Sequence, residues 1–233
     1  MSVPTDDSFE ASALGTKEYW DHVYDRENNN FKELGDIGEV WFGEDSVDRM
    51  ICWVLDQPDI TTSTSTLDLG CGNGHLLLGL ADQGDMTDLT GIDYSASAIQ
   101  LAKAVAQDQD RQAIVYATAN FLQPDEECSW RPDDKTFGLV LDKGTFDAIS
   151  LDPAQAQAQA EHRPGPRDAY VEAVRGLMQR DGKFLITSCN WTMDELIDHF
   201  KPHFQYHSHV KYPTFSFGGH TGSKICTVAF VPV

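Results

Sequence analysis

Residues 66–80, TLDLGCGNGHLLLGL, set three glycines at alternate positions, Gly70, Gly72 and Gly74, between a short apolar run and a helix-like stretch. Glycines so placed let a ligand approach the backbone closely. The next apolar run ends in Asp93, 23 residues after Gly70. That is the layout of a nucleoside site at the edge of a doubly wound sheet, in which the acid binds ribose hydroxyls. The dinucleotide fingerprint is GxGxxG, whereas this turn is GxGxG and carries Asp68. A pyrophosphate would meet a negative charge there; a ligand with a cationic end would be attracted.

The surrounding pattern supplies the elements such a turn requires. From Thr64 onward short apolar runs alternate with helical stretches: STLDLG and HLLLGLAD, LTGID and ASAIQLAKAVAQ, AIVYATA, FGLVLD, DAYVEAVRGLMQ, KFLITSC, MDELIDHF. This alternation implies a parallel sheet with right-handed crossovers, buried on both faces. FQYHSHVKY and SKICTVAFV lack an intervening helix and read as an antiparallel pair closing the sheet. Ahead of the sheet, Thr16 is expected to cap the helix KEYWDHVYDRE, which NNN at 28–30 should end, and a second helix is expected over 45–55. Between them GDIGEVWFGED exposes Trp41 and Phe42, which need a partner surface. AQAQAQA at 154–160 and HRPGPR read as a low-complexity surface insertion. The expected organisation is a flexible tail over 1–13 and one domain over 14–233, with N-terminal helices and a lid at 14–60 and the core at 61–233.

Composition narrows the function. Seventeen basic against 37 acidic residues give a formal net charge of −20, which argues against nucleic acid as a partner. No apolar run approaches a membrane span, and the polar, acidic start lacks a secretory pattern, so a soluble cytoplasmic protein is expected. Cys52, Cys71, Cys128, Cys189 and Cys226 form no CxxC pair and read as reduced thiols. His203, His207 and His209 lack helical zinc-pair spacing, although His207 and His209 would share a strand face; no metal is expected. No Ser–His–acid or Cys–His set falls at the strand ends.

The turn resembles motif I of the class I S-adenosylmethionine-dependent methyltransferases, whose cofactor carries an ammonium and a sulfonium. TKEYWDHVYDRE, GDIGEVWFGED, GIDYSASAIQLA, LDKGTFDAISLDP, FLITSCNWTMDEL and FSFGG are similar to the lysine methyltransferases of translation elongation factor 1-alpha, the methyltransferase-like 10 group of vertebrates and its fungal counterparts. The resemblance covers most of residues 14–230, and LDKGTFDA with TSCNWT is its specific part. It implies a Rossmann-like α/β fold, a seven-stranded class I methyltransferase sheet, mostly parallel with an antiparallel C-terminal pair. It also implies S-adenosylmethionine as cofactor and elongation factor 1-alpha as protein substrate, for an enzyme expected to be monomeric. Carried onto this chain, the cofactor positions are Tyr19, Trp20, Asp68, Gly70, Cys71, Gly72, Asn73, Gly74, Asp93, Tyr94, Asn120, Phe121 and Asp142, with Asn120 and Phe121 at the adenine and Asp142 beside the methionine end. Asn120 stands where the family commonly has Asp, and the 154–166 insertion is long.

Methyl transfer to lysine demands alignment and deprotonation. A free lysine, with a pKa near 10.4, is neutral in about one molecule in 2,500 at pH 7. An apolar, aromatic channel raises that fraction by penalising the ammonium. Trp41, Asp142, Asn190 and Trp191 are the residues expected at the reacting centre, with Phe42 and Phe146 as further candidates and no role for Lys143. Two alternatives remain at this stage: a small-molecule or other-protein methyltransferase of the same fold, and a non-catalytic adaptor that binds the cofactor.

Overall fold

A computed structural model describes residues 11–123, 130–132, 135–213, 215–217, 220–222 and 225–233. After a 3-10 turn at Ala13–Gly15 come α1 (Lys17–Leu34), α2 (Glu44–Leu55), β1 (Thr66–Leu69), α3 (His75–Gly84), β2 (Leu89–Asp93), α4 (Ala96–Asp108) and β3 (Val115–Thr118). The second half runs β4 (Phe137–Lys143), α5 (Thr145–Ser150), α6 (Pro153–Ala160), α7 (Pro166–Leu177), β5 (Met178–Ser188), α8 (Met193–Phe200) and β6 (Phe204–Val210). It ends in β7 (Phe215–Phe217), β8 (His220–Gly222) and β9 (Cys226–Pro232).

Seven strands form one sheet in the order β3-β2-β1-β4-β5-β9-β6, while β7 and β8 pair separately. The first five are mutually parallel; β9 runs antiparallel to both β5 and β6, as the missing helix implied. Alternation along the buried strands feeds two cores. Leu139, Leu141 and Leu185 pack with α2, α3 and α4; Leu67, Leu69, Val140 and Ile186 pack with α5, α7 and α8. The strand order reverses between β1 and β4, and the crevice at such a switch point is where open α/β sheets bind ligands.

Four expectations are corrected by packing. The first helix does not stop at NNN: it continues to Leu34 and ends at left-handed Gly35, whose N–H bonds to Phe31 O. Asn28 is buried inside it, and its Nδ2 donates to Tyr24 O and to Ser97 O, both at 2.8 Å, so tertiary bonds override a weak helix former. AQAQAQA is the helix α6, capped by Asp152, with Gln155 and Ala158 buried on one face and Gln155 Oε1 accepting from Arg167 N at 3.0 Å. Ala13 opens the 3-10 turn, and Ser12 N donates to Leu151 O, so residues 12 and 13 are held against the domain. A register shift between Tyr206 and Ser208 breaks the alternation that would have aligned His207 with His209. The expectations that fall on residues 1–10, Cys128, Gly218 and Gly219 lie outside the described residues.

Candidate active site

A cavity of about 270 Å³ opens at the carboxyl ends of β1, β2, β4 and β5. The glycine turn forms its floor. Gly70 and Gly72 take φ of 64° and 54°, a left-handed backbone that glycine adopts without strain. The space above them is filled by the protein: a Cβ on Gly70 would lie 2.1 Å from Thr145 Oγ1, and one on Gly72 would lie 2.5 Å from the Tyr24 hydroxyl. Side-chain packing, as well as ligand approach, therefore requires glycine here. Gly74 caps α3 and does not line the cavity. Asn73 Nδ2 donates to Ile37 O at 3.0 Å and so fastens the segment before Trp41 to the turn.

Asp93 lies at the cavity wall, buried, with Oδ2 accepting from Gly72 N at 3.1 Å and Oδ1 from Ser95 N at 2.9 Å. Burial pushes its pKa up to about 6, against the two backbone donors that favour the anion. Asp68 is 3% exposed, lines the same cavity, and has no hydrogen-bond partner among the described residues. Its pKa is raised by burial and by the Asp142 and Asp93 charges, and lowered by Lys143. Tyr94, Phe121 and Asn120 line the cavity beside Ile92 and Leu122; Asn120 Oδ1 accepts from Leu122 N at 3.1 Å.

The N-terminal segment roofs the site. Trp20 lines the cavity and donates from Nε1 to Leu14 O at 2.7 Å, and the Trp41 ring meets it edge to face at 4.9 Å. Trp41 Nε1 is buried without a partner. Phe42 takes a left-handed φ of 66°, and its ring sits over Gly144, where a Cβ would come within 2.9 Å of it. Tyr19 packs edge to face on Trp20 at 5.2 Å and does not line the cavity.

Two residues expected at the reacting centre are placed elsewhere. Asp142 is fully buried beneath the cavity, its carboxylate accepting from Thr145 N at 2.8 Å, Phe146 N at 3.0 Å and the Tyr170 hydroxyl at 2.5 Å. It caps the start of α5, which is why an apolar strand can end in an acid. Trp191 is 6% exposed, packed on Phe146 and His199, with Nε1 donating to Ser150 Oγ at 3.2 Å. Phe146 is likewise core. Asn190 does reach the cavity, together with Cys189. Both belong to a turn held by buried Asp147, which accepts from the Ser188 hydroxyl and Cys189 N, while Ser188 Oγ accepts from Asn190 N and Trp191 N. The two most specific phrases of the sequence, LDKGTFDA and TSCNWT, meet at that acid–serine contact.

A family model described as a methyltransferase domain matches residues 60–225. The chain belongs to this family. EEF1A lysine methyltransferase 2 of Danio rerio is 41% identical over 224 residues, spanning 96% of this chain and 90% of that protein. Protein-lysine N-methyltransferase efm4 of Schizosaccharomyces pombe is 43% identical over 235 residues, 94% of each. Among solved structures, magnesium protoporphyrin IX methyltransferase (ChlM) from Synechocystis with bound SAM superposes with a TM-score of 0.58 at 15% identity, covering 89% of this chain and 96% of that one, a likeness of fold.

Sequence reasoning passed over several residues that line this methyltransferase cavity, among them Tyr24, Lys143, Thr145 and Asp147. One signal was available. In LDKGTF an acid stands three and four residues before the first amides of a helix and binds both, while Lys143, on the opposite face of the pleat, carries the cavity-facing side chain. The buried acids also make a pH prediction. Burial lifts Asp93 to about 6 and Asp142 to about 7, well above the ordinary carboxylate range. Raised carboxylates bind protons more tightly in the folded state, so their stabilising contribution is greatest at low pH and is lost as pH rises through about 6 and 7. The ligand-free protein should melt several degrees higher at pH 5.5 than at pH 8. A melting temperature that climbs with pH over this window would contradict it.

Proposed function

We propose that this protein transfers methyl groups from S-adenosylmethionine to a lysine side chain of translation elongation factor 1-alpha. Near-full-length similarity to a lysine methyltransferase named for that substrate carries the reading, and the similarity to a second protein-lysine N-methyltransferase supports the reaction class. The cavity fits the cofactor: a nearly buried carboxylate without a hydrogen-bond partner, Asp68, suits a cationic end, and a second carboxylate, Asp93, suits a diol. Bound S-adenosylmethionine supplies a methyl group on a sulfonium, ready for in-line attack by an amine.

This chain's residues align, enclose and desolvate. Asp68 takes the ammonium of the methionine end and Asp93 the ribose hydroxyls, while Ile92, Phe121 and Leu122 flank the adenine with Asn120 at its polar edge. Trp41 and Phe42 form an aromatic wall at the lysine's entry, and Asn190 with Cys189 the opposite, polar side. Between them the incoming ammonium loses its water, its pKa falls, and the proton leaves to solvent before attack. Asp142 and Trp191 act from beneath, by fixing α5 and the turn that carries Asn190. The −20 surface draws a basic protein substrate toward the cleft and disfavours nucleic acid. No helix among the described residues is long and apolar enough to cross a membrane. A monomer working in the cytoplasm fits this substrate.

The test is incubation with labelled S-adenosylmethionine and recombinant elongation factor 1-alpha, followed by mass spectrometry of the labelled peptide. One methylated lysine is expected, with label lost when that lysine is replaced by arginine. Cofactor binding without label on this substrate would sink the substrate assignment and leave the cofactor one standing.

A further inference from the structure

We propose that Lys143 is a positioning residue of the methyl-transfer site: it ties the Trp41 segment to the end of β4 and, as a cation on the strand beside Asp68, favours the carboxylate that receives the cofactor's ammonium. The second half of this rests on the cofactor reading above.

Lys143 is the last residue of β4 and lines the cavity. Its Nζ donates to Trp41 O at 3.0 Å, and no carboxylate lies within the 4.0 Å of an ion pair among the described residues. In a chain with 37 acids, a half-buried cation with no carboxylate in contact has a role other than surface pairing. The bond it makes is well placed for holding a roof. Gly38, Phe42 and Gly43 all have left-handed φ, of 90°, 66° and 77°, so the segment has little regular structure of its own. It is pinned by Glu27, which accepts from Glu39 N at 3.2 Å, by Asn73 at Ile37 O, and by Lys143 at Trp41 itself.

Sheet register places the same lysine beside Asp68. Asp68 pairs with Leu141 in the parallel β1–β4 ladder, and Lys143 is two residues further along the same pleat face. Strand spacing and rise put the two Cα atoms roughly 8 Å apart, within reach of a lysine side chain. The charges of Asp93 on β2 and Asp142 on β4 also act on Asp68, and those of Asp142 and of Glu44 on α2 act on Lys143. Burial opposes both charges, and each is favoured by the other. Burial raises the Asp68 carboxyl to about 8 even with the lysine in place; without it, Asp68 would stand among like charges with no cation and hold its proton to higher pH still. A cationic ligand would then have to displace that proton, so affinity would climb with pH, by up to about tenfold per unit.

Three variants separate the two roles. Lys143→Met removes donor and charge, Lys143→Gln retains a donor for Trp41 O without charge, and Lys143→Arg retains both. S-adenosylmethionine affinity would be measured by calorimetry between pH 6.0 and 9.0, and amide exchange followed over residues 39–43. We expect Lys143→Met and Lys143→Gln to bind at least tenfold more weakly at pH 6.0 and to go on gaining affinity above pH 8, where the wild type levels off, and Lys143→Arg to restore the wild-type profile. Exchange over 39–43 should quicken at least tenfold in Lys143→Met and stay slow in Lys143→Gln. If Lys143→Met does not fold, the slopes of the Gln and Arg variants decide the electrostatic role, and fast exchange over 39–43 in Lys143→Gln would overturn the tie. Parallel pH profiles across all variants, or unchanged exchange in a folded Lys143→Met, overturn the proposal. Failure of the wild type itself to bind would instead overturn the cofactor assignment.

Discussion

Replacing Asp93 by Ala should weaken S-adenosylmethionine binding by more than a hundredfold. The carboxylate has two loads. Toward the ligand it offers a charge-assisted hydrogen bond, worth about 1.5–3 kcal/mol. Toward the protein it satisfies Gly72 N and Ser95 N, and a buried donor left unpaired costs about 1–3 kcal/mol more. Gly72 belongs to the floor of the cavity and Ser95 caps α4, so the turn would lose its shape together with its ligand. Asp93→Asn, which keeps an acceptor for one amide, should fall between. Calorimetry giving the alanine variant near-native affinity would move the ribose to another residue.

The second large effect is a contrast between two tryptophans. Trp41→Ala should reduce turnover on the protein substrate by on the order of 10²-fold, because loss of an aromatic wall readmits water and loosens alignment. Cofactor affinity should stay within about threefold, since Trp20 is fixed independently through Leu14 O. Trp191→Ala should do the reverse. It empties a buried site beside Phe146 and His199 and removes the donor to Ser150 Oγ, for a loss of about 3–5 kcal/mol of stability. The folded fraction should keep most of its turnover. Denaturant melts paired with steady-state kinetics would separate the two; equal losses of turnover at full stability would return Trp191 to the reaction channel.

What sequence made legible followed from strong local signals. Apolar runs ending in glycine or aspartate located β1, β2 and β4, and Thr16 caps the first helix where capping chemistry puts it. The absence of a helix between the last long strands foretold the antiparallel pairing. Where sequence misled, contacts distant in the chain decided. Asn28 is an indifferent helix former until Ser97 accepts from it, and AQAQAQA has no obvious inner face until Gln155 finds the amide of Arg167. At the site, the pleat was the missing fact. Asp142 and Lys143 are adjacent letters on opposite faces of β4, so the acid went to a helix cap and the lysine to the cavity. Trp191 follows a strand that ends at the cleft, yet its ring turns back into the core, a rotamer that no spacing rule encodes.

The place of β9 in the sheet bears on how the chain comes to be folded at all. It lies between β5 and β6 and is hydrogen-bonded to both, although it is made after either. On a ribosome, β1 to β5 can assemble early, because each neighbour has already emerged. Until residues 226–232 arrive, however, β5 and β6 each present an open edge, and Phe184, Phe200 and Phe204 lack the Phe230 ring that later packs among them. The nascent protein is therefore most exposed to mispairing with its neighbours while it awaits β9, and that strand acts as the closing stitch.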